Sequence, residues 1–168
     1  IESAAADGGS EVGDLALSCD DQVALYAVSR DTFGNFVKVE TVQWQLEGGI
    51  GSLSSAAASH TVLDLHTPGS GRVYITHATL GDDSTGQLSV ATGALALLSI
   101  EDDAMGAGAP IAAQQLTAGE SLVMHAIGRD VDGNFIAPIP ANWELGHPIG
   151  DISTGLQSQA SLLATTVG

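Results

Sequence analysis

From residue 39 to residue 46 the chain alternates, with Val42, Trp44 and Leu46 on one side of an extended backbone and Gln43 and Gln45 on the other. A period of two predicts a strand with one apolar face, and it points Trp44 into a core. Residues 22–29 alternate as well, placing Val23, Leu25 and Ala27 on one parity and Tyr26 on the other. Further strands are predicted at 61–66, 72–80 and 87–92, with 81–86 (Gly-Asp-Asp-Ser-Thr-Gly) as the hairpin connection between the last two. Residues 3–14, rich in Ala, Gly and acids, read as loop. No stretch sustains a helical period.

The pattern returns 99 residues later (129 − 30 and 143 − 44). Arg30-Asp31-Thr32-Phe33-Gly34-Asn35-Phe36 with Trp44 matches Arg129-Asp130-Val131-Asp132-Gly133-Asn134-Phe135 with Trp143. The register extends without gaps: Leu17, Ala27 and Val28 fall on Leu116, Ala126 and Ile127, and Ile50-Gly51-Ser52-Leu53-Ser54 falls on Ile149-Gly150-Asp151-Ile152-Ser153. A period this long is one whole domain repeated. The expected units are 1–93 and 94–168, the second opening with an apolar strand at 94–101 and a loop at 102–110.

Gly168 is the counterpart of Gly69, so the second unit lacks everything equivalent to 72–92, and the first lacks the strand equivalent to 95–99. With neither a basic n-region nor an apolar h-region at its start, the chain reads as a segment of a longer polypeptide. Either neighbouring repeats of that polypeptide complete its sheets, or adjacent copies do so by strand addition. A second unit closed by its own residues, with Leu162 and Leu163 in a complete sheet, would count against both versions.

Turn chemistry explains the repeated motif. Asp31 and Asp130 can accept hydrogen bonds from the following backbone, and Gly34-Asn35 and Gly133-Asn134 tolerate positive φ. Asp130 and Asp132 with Asn134 also resemble the first half of a calcium loop, but Phe33 holds the position of Asp132 in the first copy and no closing Glu follows. A second calcium candidate is Glu101-Asp102-Asp103, whose counterparts are Glu2, Ser3 and Ala4; the competing reading, and the favoured one, is a solvated acidic loop.

Charge narrows the partners. Twenty acidic residues stand against four basic ones, for a formal net charge of −16, a field that repels nucleic acid and anionic membrane. No apolar run is long enough to span a bilayer, so no membrane insertion is expected of this segment. Lys38 is the only lysine, which suggests a saline or calcium-containing exterior and an extracellular or cell-surface setting; the competing reading, and the favoured one, is a surface simply kept soluble by carboxylates. Cys19, the only cysteine, can form no intrachain disulfide, and Ala118 at its counterpart predicts a small buried site.

Catalysis has little to draw on. There is no GxSxG, HExxH or paired-cysteine motif. Where a histidine has a counterpart in the other copy, that counterpart is never histidine. His60, Asp64 and His66 form the best local metal constellation, against Gln159, Leu163 and Thr165 in the second copy, and a solvated face is the favoured reading.

Short strands, inward aromatics and no helix predict an all-β chain of tandem immunoglobulin-like β-sandwiches, the second incomplete at its C-terminal end. The pattern 116–121 (Leu-Thr-Ala-Gly-Glu-Ser), then 126–130, Gly133-Asn134 and Trp143, resembles the bacterial immunoglobulin-like repeats of invasin- and intimin-type surface proteins. The resemblance covers both copies and carries no catalytic or cofactor residue with it. What it implies is a structural spacer in a long surface or filament protein, with Trp44, Trp143 and the two Asp-Gly-Asn turns as structural positions. The alternatives are an adhesin or carbohydrate-binding region that recognises a cell-surface glycan or protein through loops at one sandwich end, and an accessory module of a secreted enzyme.

Overall fold

The computed structural model describes residues 1–165, all of them strand, turn or loop. Its internal contacts divide the chain into two units, 1–93 and 94–168.

Unit 1 contains β1 (Leu15–Ser18), β2 (Gln22–Tyr26), β3 (Val28–Arg30), β4 (Phe36–Val39), β5 (Val42–Glu47), β6 (Gly51–Leu53), β7 (Ala57–Ala58), β8 (His60–Leu65), β9 (Gly69–His77), β10 (Gly81–Ser84) and β11 (Leu88–Ala91). One sheet has the order β2-β8-β6 and the other β1-β11-β9-β5-β7, with β10 also on β9. The two faces enclose one core. Leu25, Leu63 and Leu65 come from the first sheet, and Val42, Trp44, Val73, Ile75, Leu88 and Val90 from the second. This is the immunoglobulin-like arrangement, in which the second, fifth and fourth strands oppose the third, sixth and seventh and a tryptophan on the third fills the centre.

Unit 2 contains β12 (Leu97–Glu101), β13 (Ser121–Arg129), β14 (Phe135–Pro138), β15 (Ala141–Asn142), β16 (Gly150–Ile152), β17 (Leu156–Gln157) and β18 (Gln159–Ala164). Its main sheet has the order β12-β13-β18-β16, with β14 also on β13. Leu162 and Leu163 both lie in β18, inside that sheet. Opposite it, the described residues supply only the two-residue pair β15 and β17.

The inward parity holds in both copies: Leu25 and Ala27 are buried in unit 1, Met124 and Ala126 in unit 2, and both tryptophans are buried. Several boundaries depart from the pattern. The strand expected over 22–29 breaks at Ala27, where the chain passes from pairing with β8 to pairing with β4. The one expected over 39–46 is likewise two strands, β4 and β5. Residues 81–86 are not the hairpin connection; the turn lies at 78–80, and β10 folds back on β9 through backbone hydrogen bonds that its polar sequence does not advertise. The strand expected at 94–101 begins at Leu97. Finally, β1 was not expected at all. It pairs in parallel with β11, so its partner lies far along the chain and leaves no local signal.

Candidate functional site

The repeated heptad builds one device twice. In unit 1 the Asp31 carboxylate accepts hydrogen bonds from the Phe33 and Asn35 amides (both 2.9 Å) and from Asn35 Nδ2 (2.9 Å). In unit 2 Asp130 accepts from the Asp132 (3.1 Å) and Asn134 (2.8 Å) amides and from Asn134 Nδ2 (2.9 Å). Gly34 and Gly133 both take φ +85°, which a side chain would disfavour. Asp31, Gly34 and Asn35, with Asp130, Gly133 and Asn134, are therefore brought together as the sequence predicts, as turn formers.

A guanidinium locks each turn to the opening segment of its unit, at Glu2 in unit 1 and at Glu101 of β12 in unit 2. Arg129 donates through Nε and Nη2 to the two Glu101 carboxylate oxygens (both 2.6 Å) and through Nη1 to the Gly133 carbonyl (2.8 Å). Arg30 repeats this on Glu2 (2.6 and 2.8 Å) and the Gly34 carbonyl (2.9 Å). The bidentate geometry is the strong form of this contact. A register shift in the ladder at Ser29/Arg30 and at Gly128/Arg129 aims both arginines. The clamp was missed in the sequence, although Glu2 and Glu101 occupy one register position and so do the two arginines.

The tryptophans anchor the opposite side. Trp44 Nε1 donates to the Ala58 carbonyl and Trp143 Nε1 to the Gln157 carbonyl, both at 2.9 Å. A buried indole thus has its one polar group satisfied in each unit.

The calcium candidates are engaged with protein donors. Glu101 is held by Arg129 and Asp130 by its own turn, while Asp102 Oδ1 accepts from the Ala109 amide (2.8 Å) and Asp103 Oδ1 from the Met105 amide (2.6 Å). Asp132 sits at the turn tip and is exposed. Among the described residues no group of three or more His, Cys, Asp or Glu side chains is placed to hold a metal ion. His60 stacks on Tyr26 with centroids 5.8 Å apart, and Asp64 Oδ1 accepts from Gln22 Nε2 (2.8 Å), so the His60-Asp64-His66 set is not drawn to one point. Adding calcium should leave the melting midpoint where a chelator leaves it; a clear rise with calcium would reinstate the acidic loop as a site.

A cavity of about 240 Å³ in unit 1 is lined by residues that include Ser29, Arg30, Glu40, His77 and Asp82. Its hydroxyl, Ser29, donates to the Lys38 carbonyl (3.2 Å), and Glu40 is paired with Lys38 (3.1 Å). Val42, Ile75 and Leu80 belong to the apolar part of the lining.

The clamp makes stability depend on pH. Hydrogen bonds from Arg129 hold Glu101 below the usual carboxylate range against the opposing effect of burial, and Arg30 does the same for Glu2. Asp31 is lowered by the Asn35 side chain and then by the turn amides. A carboxylate whose folded pKa is depressed stabilises the fold above its unfolded value and loses that contribution as pH falls through the folded value. Urea midpoints should accordingly be flat above the ordinary glutamate value of 4.5 and fall progressively below it. Midpoints that hold steady down to acid pH would show that the clamp does not contribute.

No protein-family model matches the chain, and the search of curated proteins returns no match. Among solved structures, a chimeric titin Z1Z2–Z1Z2 tandem functionalised with a GRGDS peptide from fibronectin aligns over 94% of this chain and 83% of its own, at 13% identity and a TM-score of 0.31. At that score the likeness adds no weight, and the fold assignment rests on the strand order and core described above.

Proposed function

We propose that the chain is a non-catalytic, load-bearing spacer: a run of immunoglobulin-like repeats in a long extracellular bacterial surface or filament protein, with further repeats of its own kind as its neighbours. The observation that carries this reading is the parallel pairing of β1 with β11, Leu15 to Ser18 against Leu88 to Ala91. Tension drawn along unit 1 from its two ends loads this ladder in shear, so its hydrogen bonds resist together. What recurs between the units supports the same view, since it is turn, clamp and anchor. The strongly acidic composition suits an exposed, soluble, extracellular surface.

Pulling single molecules by their ends tests it. The expected record shows a resolved rupture for unit 1, releasing 93 residues at roughly 3.5 Å each. Leu15→Pro, which removes the amide that donates to the Gln87 carbonyl (3.0 Å), should lower that rupture force and leave unit 2 unaffected. Extension without a resolved event would overturn the load-bearing reading.

One observation favours recognition of a glycan or protein instead. Phe33 stands 88% exposed at the tip of its turn, at one end of the sandwich, and has no aromatic counterpart in unit 2. Binding to a cell surface that Phe33→Ala abolishes without changing the melting midpoint would establish that reading.

A further inference from the structure

The outer face of the second sheet of unit 1 departs from the acidic character of the chain. Trp44 and Leu46 of β5 and Val73 and Ile75 of β9 pack into the core, so the residues that alternate with them point to solvent. Those outward residues include one acid, Glu47, and one base, Arg72, which stand opposite each other in the ladder. The rest are amides, hydroxyls and a single tyrosine, so this pair of strands presents a face without net charge in a chain of net charge −16.

Tyr74 is held ready for contact. It stands opposite Gln45, yet its hydroxyl donates to Glu47 Oε2, one pleat further along β5 (2.7 Å). A ring that reaches diagonally to the neighbouring strand lies along the sheet and turns one face to solvent. Fixing it in advance lowers the entropy lost when something stacks on it. Two shallow depressions flank the ring and share both Tyr74 and Glu47. One, of about 350 Å³, is completed by Gln45 and Leu46; the other, of about 340 Å³, extends over Arg72 to Gln87 beside β11. Gly146 holds the place of Glu47 in unit 2, so this anchor, unlike the turn and the clamp, is not part of the repeated framework.

We propose that this face binds an extended, neutral polysaccharide with equatorially linked sugars, laid across the strands with one ring stacked on Tyr74. A sugar of this kind offers apolar C–H groups on its faces and hydroxyls at its rim. The tyrosine meets the former, while Gln45 and Glu47 on one side and Arg72 and Gln87 on the other supply donors and acceptors for the latter. Neighbouring strands lie about 4.8 Å apart, close to the rise of one sugar in such a flat chain, so successive rings meet successive strands. Other occupants fit worse. The net charge repels nucleic acid, and β5 and β9 turn no aliphatic side chain outward for a protein partner to bury. This role goes beyond spacing, since it uses the outer face and not the β1–β11 seam.

The test titrates the full chain with cellohexaose while amide and side-chain chemical shifts are followed. Saturable shifts should map to residues 43–47, 70–74 and 87. Tyr74→Ala should weaken binding by about tenfold or more and Gln45→Ala by about threefold, whereas Tyr74→Phe, which keeps the ring, should stay within about threefold. Maltohexaose, curled by its axial links, should bind at least about tenfold more weakly. Gln45 is exposed, so its variant probes the site even if Tyr74→Ala unfolds unit 1. The proposal is overturned by no saturable shift with cellohexaose, by wild-type binding in both alanine variants, by equal binding of maltohexaose, or by shifts that map to the turn at residues 31–35 instead. None of these outcomes touches the pulling experiment, so the spacer reading stands or falls separately.

Discussion

Replacing Arg129 with methionine should destabilise unit 2 by about 3–5 kcal/mol, the range seen when one partner of a buried ion pair is removed. Glu101 is fully buried, and both its oxygens are bonded to Arg129, so the substitution strands a charge that water cannot reach. The Gly133 carbonyl loses its donor at the same time. Removing both charges with Arg129→Met and Glu101→Leu should be much milder than removing the arginine alone, because no uncompensated carboxylate remains. Urea unfolding with amide exchange resolved by unit is the measurement. A loss below about 1 kcal/mol for the single variant would place the pair among weak surface ion pairs.

Trp44→Ala should cost unit 1 about 3–5 kcal/mol. The ring lies in the core between two sheets, and its truncation leaves a cavity as well as an Ala58 carbonyl without its indole donor. Trp44→Phe keeps most of the apolar area and loses the hydrogen bond, so it should cost about 1 kcal/mol. The same truncation at Trp143 should cost less than at Trp44, because the inner face around it is less enclosed, as Ile149 (37% exposed) and Ile100 (49% exposed) show. Equal losses at the two positions would mean that unit 2 packs its tryptophan as tightly as unit 1 does.

Local signals read well here and distant ones did not. Alternation found the inward faces of β2 and β5, and the repeat register separated requirement from accident: Asp, Gly and Asn recur, whereas Asp132 gives way to Phe33. The turn was legible because its hydrogen bonds close within four residues. The clamp was not, since a carboxylate and a guanidinium 28 residues apart are indistinguishable from surface charges until the strands are placed. Strand β1 was hidden for the same reason, and β10 because Gly-Asp-Asp-Ser has the composition of a turn. Of the residues considered for calcium, Glu101 completes an ion pair and Asp130 organises a turn.

The separations that hid these contacts also set an order of assembly during synthesis. The Glu2–Arg30 clamp can close once the first three dozen or so residues are outside the ribosome, whereas the contact from Asp14 to Gln87 spans 73 residues and must wait for nearly the whole unit. Unit 1 would thus emerge with its Glu2–Arg30 end already cross-braced, and the β1–β11 seam would be the last to zip. Until then, the half-built sandwich exposes an edge that the next stretch of the same chain is best placed to reach.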